Sequence, residues 1–209
     1  MLALILKDIA TLRKTLLLTI PICIGLAIYG IYVNAIFMIP LICAMIPLIL
    51  TAIAFGYDAK SKFEQFAFSM PIKKSSYVLS KLFFSFVFGL IGSICIFILL
   101  MVQNKMSIDN IALISIITLI ASVLMSAIQL PFILKYGEEK GRLIMVISYF
   151  AIFALSTFLR EKSNELSSFI GFFSKYSLTM IGIGAASLGA IIIGILVKLS
   201  IIILEKKEY

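Results

Sequence analysis

Apolar residues run almost without interruption through six stretches of this chain, 16–33, 36–56, 78–102, 111–134, 143–159 and 178–204, and polar residues gather between them. A helix needs about 20 apolar residues to cross a hydrocarbon core about 30 Å thick, so each stretch predicts a membrane-spanning helix. Only Asn34 and its neighbours separate the first two stretches, which predicts a tight hairpin. Pro21 falls in the first turns of its span, where a missing N–H is tolerated. Pro40 lies near the start of the second span and Pro47 in its middle, predicting a kink and freed carbonyls that neighbouring helices must satisfy.

Shorter patterns lie between and before the spans. In MLALILKDIATLRK, residues 1–14, apolar positions 2, 5, 6, 9 and 12 alternate with Lys7, Asp8, Arg13 and Lys14, which predicts an amphipathic helix lying in the membrane interface. Residues 57–77, YDAKSKFEQFAFSMPIKKSSY, form a polar and aromatic island. There Ser61 and Glu64 have the S-x-x-E spacing of a capping box, predicting a helix start, and Pro71 disfavours helical geometry at Met70, predicting a stop near Ser69. Phe63, Phe66, Ala67 and Met70 share one face of that helix, while Lys62, Glu64 and Gln65 point elsewhere. Two turns are too few to be stable alone, so the helix must dock on the membrane surface, on neighbouring helices or on a soluble partner.

Lys81, at the mouth of the third span, is expected to snorkel to the headgroups, and Asp109 and Asn110 to cap the fourth span. Gln129 and Pro131 bring that span toward its end. Ser85, Gly89 and Ser93 make a small-residue ladder in the third span; Gly182, Ala186, Ala190 and Gly194 make another in the sixth, for packing within the chain or between two copies. Residues 135–142, KYGEEKGR, form a compact charged loop, and LSSFIGFF, 166–173, suits an interfacial or re-entrant helix.

Composition agrees with the pattern: 62% of residues are hydrophobic, 13% are charged and the mean hydropathy is +1.18. The fold class is therefore an all-α membrane protein, one transmembrane domain over 1–209. No short apolar segment with a cleavage site opens the sequence, so the first span is expected to direct insertion. Charge sets the orientation. Lys7, Arg13, Lys14, Lys60, Lys62, Lys73, Lys74, Lys81, Lys135, Lys140, Arg142, Lys198, Lys206 and Lys207 fall on one side of the predicted topology, against Lys105, Arg160, Lys162 and Lys175 on the other. Positive charge stays inside, so both termini, the 57–77 island and the 135–142 loop are expected in the cytoplasm. Contact with anionic lipid accounts for the net charge of +8 without a nucleic-acid partner.

Several chemistries are disfavoured. Cys23, Cys43 and Cys95 lie inside apolar runs and the chain has 0 His, which predicts no disulfide and no metal site. No G-x-x-x-x-G-K-[ST] motif occurs, so any ATP used is bound by another polypeptide. Glu138, Glu139 and Arg142 suggest an intramembrane metalloprotease, but the spacing is one residue short and no histidine exists to complete it, so a solvated turn is expected. No span places an ionisable residue near its centre, which argues against ion coupling. What remains is a transporter subunit powered from outside, or a membrane scaffold or sensor that recruits a cytoplasmic partner.

The six-span pattern, Leu6-Lys7-Asp8 in the amphipathic segment, the stretch 57–81, PFILKYGEEKGR at 131–142 and the KKEY tail together resemble the ABC-2 type permeases. The likeness extends to their short bacterial subfamily, which includes the phenol-soluble modulin exporter subunits. This resemblance implies a non-catalytic permease in the bacterial cell membrane that exports amphipathic or antimicrobial-type peptides or hydrophobic compounds. It implies two copies, identical or related, working with two ATP-binding subunits that hold the ATP and magnesium. The island helix would be the coupling helix, meeting that subunit through Asp58, Lys62, Phe63, Glu64, Phe66 and Met70. Lys135, Glu138, Glu139 and Arg142 would form a second contact, and 166–173 an extracellular helix between the fifth and sixth spans. No substrate-binding residue is identified.

Overall fold

The computed structural model describes residues 2–32, 38–69, 73–103, 107–137 and 178–207, with isolated positions between 140 and 154. They form the helices α1 (Leu2–Tyr32), α2 (Met38–Lys60), α3 (Phe63–Ser69), α4 (Lys74–Gln103), α5 (Ile108–Tyr136) and α6 (Leu178–Glu205), with no strand among the described residues. Four of these, α2 from Ile42, α4, α5, and α6 from Gly182, are long and apolar enough to cross a membrane. The expected fifth span, the 166–173 helix and the turn at Asn34 lie outside the described residues.

Core clusters show that α2, α4 and α5 alternate in direction, while α6 runs parallel to α5, with Gly189 beside Ile120 and Leu204 beside Leu134. At one end Cys43 of α2 packs with Ile96 and Leu100 of α4 and Ile111 of α5. At the other, Phe55, Tyr77 and Val78 meet Leu130, Ile133 and Leu134 of α5 and Leu204 of α6. A third cluster joins Leu12 of α1 to Leu50 and Ala54 of α2 and Phe84 of α4. The start of α1 and the end of α6 therefore sit at the same end of the bundle as the α2–α3–α4 connection, here termed the charged end.

Element boundaries depart from the expected ones in informative ways. The amphipathic segment and the expected first span lie in one helix of 31 residues, about 45 Å long, because no breaker separates them and Pro21 is accommodated within it. Among the described residues, this helix is not one of the four of spanning length and hydropathy. Helix α2 continues through 57–60, so the first residues of the island belong to the bundle. Helix α5 begins at Ile108 after Ser107, whose side chain makes no cap bond, and Asp109 lies in its first turn instead of capping it. Pro131 does not stop α5, which runs on to Tyr136 and ends on Gly137 at φ 85, a left-handed conformation that glycine adopts without steric cost.

The ladder Ser85, Gly89, Ser93 is buried where α4 crosses α5. A Cβ added to Gly89 would lie 2.3 Å from the Ser122 hydroxyl oxygen of α5. On α4's other flank Gly92 approaches the backbone carbonyl of Cys43, 3.4 Å from the position of an added Cβ. That carbonyl is the one that Pro47, four residues on, leaves without its helical donor. In α6 the close approach falls at Gly189, against Ile120 and Leu124 of α5, while nothing described lies within 4 Å of a Cβ placed on Gly182 or Gly194. Ala186 is half-buried and Ala190 exposed.

Candidate functional site: the charged end beneath α3

Four ionisable side chains converge where α1, α2 and α4 meet. Lys7 and Asp8 enter from α1, Asp58 from the last turn of α2, and Lys81 from the second turn of α4. The Lys81 ammonium lies 2.9 Å from each oxygen of Asp8 and 2.7 Å from Asp58. Lys7 pairs with Asp58 and stands 3.0 Å from Asp8. Tyr77 completes the group by donating its hydroxyl to Asp58 at 3.0 Å. Asp8 and Asp58 are each 2% exposed and Lys81 1%, so three charges are removed from solvent.

Burying an ion costs several kcal/mol unless partners take the place of water. Here two lysines and two aspartates alternate, each carboxylate touching both ammonium groups, and the cluster is neutral as a whole. Aromatic faces supply further cation contacts, with Lys81 5.0 Å from the Phe55 ring centre and 5.5 Å from that of Tyr77. The expected snorkelling of Lys81 is thus corrected: two carboxylates from other helices hold it inside the bundle.

Helix α3 is seated on this cluster. Ala67 is buried, Phe68 packs edge-on against Tyr77 at 5.7 Å, and the Lys7 ammonium sits 3.8 Å from the centre of the Phe63 ring. Glu64 pairs with Lys207, beyond α6, at 3.2 Å. From α4, Lys74 donates to the carbonyls of Leu204, Glu205 and Lys207 at 3.0–3.3 Å, satisfying acceptors that the end of α6 leaves open. Both chain ends are therefore tied to the α3 region.

The capping box does not form. The Ser61 hydroxyl turns back and donates to the Tyr57 carbonyl at 2.8 Å, closing α2, while Glu64 faces Lys207. Lys62 takes a left-handed φ of 50 between the two helices, a conformation common after a helix end but costly for a residue with a Cβ.

Burial divides the residues expected to contact an ATP-binding subunit. Asp58 lies inside the charge cluster, away from the surface. Phe63 is partly buried against the core, and Glu64 is partly covered. Lys62 is exposed and Phe66 is 57% exposed, so the inward face of α3 is Phe63, Ala67 and Phe68, and Phe66 points away from it. Met70 lies outside the described residues, as do Glu138, Glu139 and Arg142. Lys135 is exposed, its ammonium 5.1 Å from the Tyr136 ring centre.

Lys7, Asp8, Tyr77 and Lys81 were absent from the residues expected at the site. The available signal was Lys81, an ammonium one turn inside an apolar run with no acidic residue on its own helix, which demands a partner from elsewhere.

A family model described as ABC-2 family transporter protein matches residues 3–204, from the first turn of α1 to the end of α6. No curated protein and no solved structure matches the chain.

Proposed function

The chain belongs to the ABC-2 transporter family and is a membrane permease subunit of an ABC transporter; we propose that it serves an exporter in which a separate ATP-binding subunit docks on α3 from the cytoplasm. The observation behind this reading is the two-sided character of α3. One face is fastened to the bundle through Phe63, Ala67 and Phe68, and the other presents Gln65, Phe66 and Ser69, with Lys62 exposed in the turn before it. An exposed aromatic flanked by polar groups is the composition of an interface anchor. A helix seated on three bundle helices can pass a push from its outer face into the membrane. Lys135, in the last turn of α5, would form the second contact together with Glu138, Glu139 and Arg142.

Orientation follows the same logic. Both chain ends and the α3 connection share the end of the bundle that holds most of the lysines and arginines, so that end faces the cytoplasm of a bacterial cell. Two permease copies, identical or related, would flank the path, with ATP and magnesium on two partner subunits. Amphipathic peptides or hydrophobic compounds are the substrates proposed, by the likeness to the modulin exporters.

The test is capture of the tagged full-length chain from its native membranes in mild detergent, with assay for bound ATP-binding subunits and ATP hydrolysis. Phe66→Ala is the informative variant. Phe63 is part of the packing under α3, whereas Phe66 can be truncated without opening the core. The expected result is a roughly tenfold loss of subunit capture, the effect of removing one interface anchor, with an unchanged melting temperature. A monodisperse wild-type chain that recruits no ATP-hydrolysing partner would instead indicate a scaffold or sensor.

A further inference from the structure

We propose that Lys7, Asp8, Asp58 and Lys81 form a charge joint that couples α3 to α1, with Lys7 as its pivot; the role as a joint for ATP-driven motion rests on the permease reading above. Three observations support it. Among the four charged residues, the described contacts bring Lys7 to α3, through the Phe63 ring at 3.8 Å, and it also pairs with Asp58 and Asp8, while Tyr77 of α4, bonded to Asp58, meets Phe68 of α3. The backbone between α2 and α3 is only Ser61 and Lys62, with Lys62 in a left-handed conformation that could absorb a displacement of α3 in the turn. Asp58 lies just before that turn and is held to α1 and α4 by both lysines and to Tyr77.

Without the charges, the Lys7–Phe63 contact that joins α3 to α1 would be lost, and a push on α3 would be taken up by rotation at 61–62. With them, movement of Phe63 displaces Lys7, and the carboxylates that Lys7 engages cannot separate from it without leaving a buried charge uncompensated. That penalty keeps α1, α2 and α4 moving together at this end. These four are positioning residues and contact neither ATP nor cargo.

Removing single charges would confound coupling with misfolding, so the test uses charge-balanced pairs in the full chain in lipid nanodiscs. Lys7→Met with Asp58→Asn retains the Lys81–Asp8 pair and the Leu12–Leu50–Ala54 packing but removes the charge links from α1 to α3 and α2. Asp8→Asn with Lys81→Met retains Lys7–Asp58 and Lys7–Phe63 but removes the charge link between α1 and α4, leaving Leu12 on Phe84. Amide hydrogen exchange is followed across 4–14 and 63–69, with α5 and α6 as internal controls.

The first pair is expected to speed exchange across 63–69 about tenfold, the loss of one charge-assisted contact, with α5 and α6 unchanged. The second is expected to loosen 4–14 and leave 63–69 at the wild-type rate. Unchanged exchange across 63–69 in the first pair overturns the joint, as does equal loosening in both pairs or throughout the bundle. In complexes with the ATP-binding subunit that co-purifies, ATP with vanadate is expected to alter exchange across 4–14 in the wild type and not in the first pair, the subunit remaining bound. A response in both overturns the transmission role. Should no such subunit co-purify with the wild type, the permease reading fails by itself, and the coupling of α3 to α1 is still decided by the nanodisc comparison.

Discussion

Helix α4 has two polar seams, and they work in opposite ways. Toward α1 and α2, at the charged end, its Lys81 and Tyr77 reach across to carboxylates on other helices. Toward α5, farther along, Gly89 of the buried Ser85, Gly89, Ser93 ladder meets Ser122, and Ser115 and Ser126 of α5 are buried too. The hydroxyls there bond their own helices: Ser93 to the Leu90 carbonyl, Ser115 to that of Ile111, Ser122 to that of Leu119 and Ser126 to that of Ser122. In the second seam those four hydroxyls are neutralised within their own helices, the buried Ser85 hydroxyl alone among the five making no hydrogen bond to a described residue, and smallness brings the backbones together. In the first, polarity is neutralised only by the tertiary arrangement. A change in one seam should therefore be a matter of volume, and in the other a matter of charge balance.

The sharpest way to break the comparison is to unbalance the charge seam. Lys81→Ala leaves two buried carboxylates facing Lys7 alone. A loss of about 3–5 kcal/mol is expected, the usual cost of breaking a buried pair from one side, seen as a collapse in the yield of monodisperse protein. Restoring neutrality by adding Asp8→Asn should recover much of it. A Lys81→Ala protein as stable as the wild type would place the ammonium in contact with water.

In the small-residue seam, Gly89→Ala puts a methyl group 2.3 Å from the Ser122 hydroxyl oxygen and forces that side chain out of its bond to Leu119. A loss of about 1 kcal/mol is expected. Ser122→Ala in the same chain removes the clash, because the Ser122 Cβ is already at an ordinary 3.5 Å from the added atom. Thermal melts of the two single variants and the double variant check the non-additivity, and purely additive effects would exclude direct contact between the two residues.

The smallest effect belongs to Lys207→Ala. Its pair with Glu64 is 42% and 20% exposed, so solvent screens it and a stability change below about 0.5 kcal/mol is expected. A larger loss would show that the tail holds α3 in place beyond what this one surface pair supplies.

Much of this was legible in the chain. The positions of α2, α4, α5 and α6 follow from apolar runs of spanning length, because in lipid a backbone that pairs its own polar groups is required wherever such a run occurs. The stop of α3 at Ser69 follows from Pro71. Gly89 as a contact point follows from the small-residue ladder of which it is part. Local rules failed where a tertiary partner offered more. Ser61 has the spacing of a capping box, but the open carbonyl of Tyr57 lies within reach and takes its hydrogen bond, while Lys207, 143 residues beyond Glu64 in the chain, takes the carboxylate. Asp58 resembled a surface acid because it stands in a polar stretch, yet α2 extends past Gly56 and carries it inside.

The sequence by itself determined that the chain is helical, where most of its membrane-length helices run, and that its basic residues gather toward one end, since length, hydropathy and charge count depend on neighbours along the chain. Only the tertiary structure decided which acids Lys7 and Lys81 meet, which face of α3 turns inward, and that both chain ends fasten to it. Asp8 and Lys81 are 73 residues apart, and charges that far apart find one another only after α1 and α4 have packed, when the loss of water makes each partner indispensable to the other.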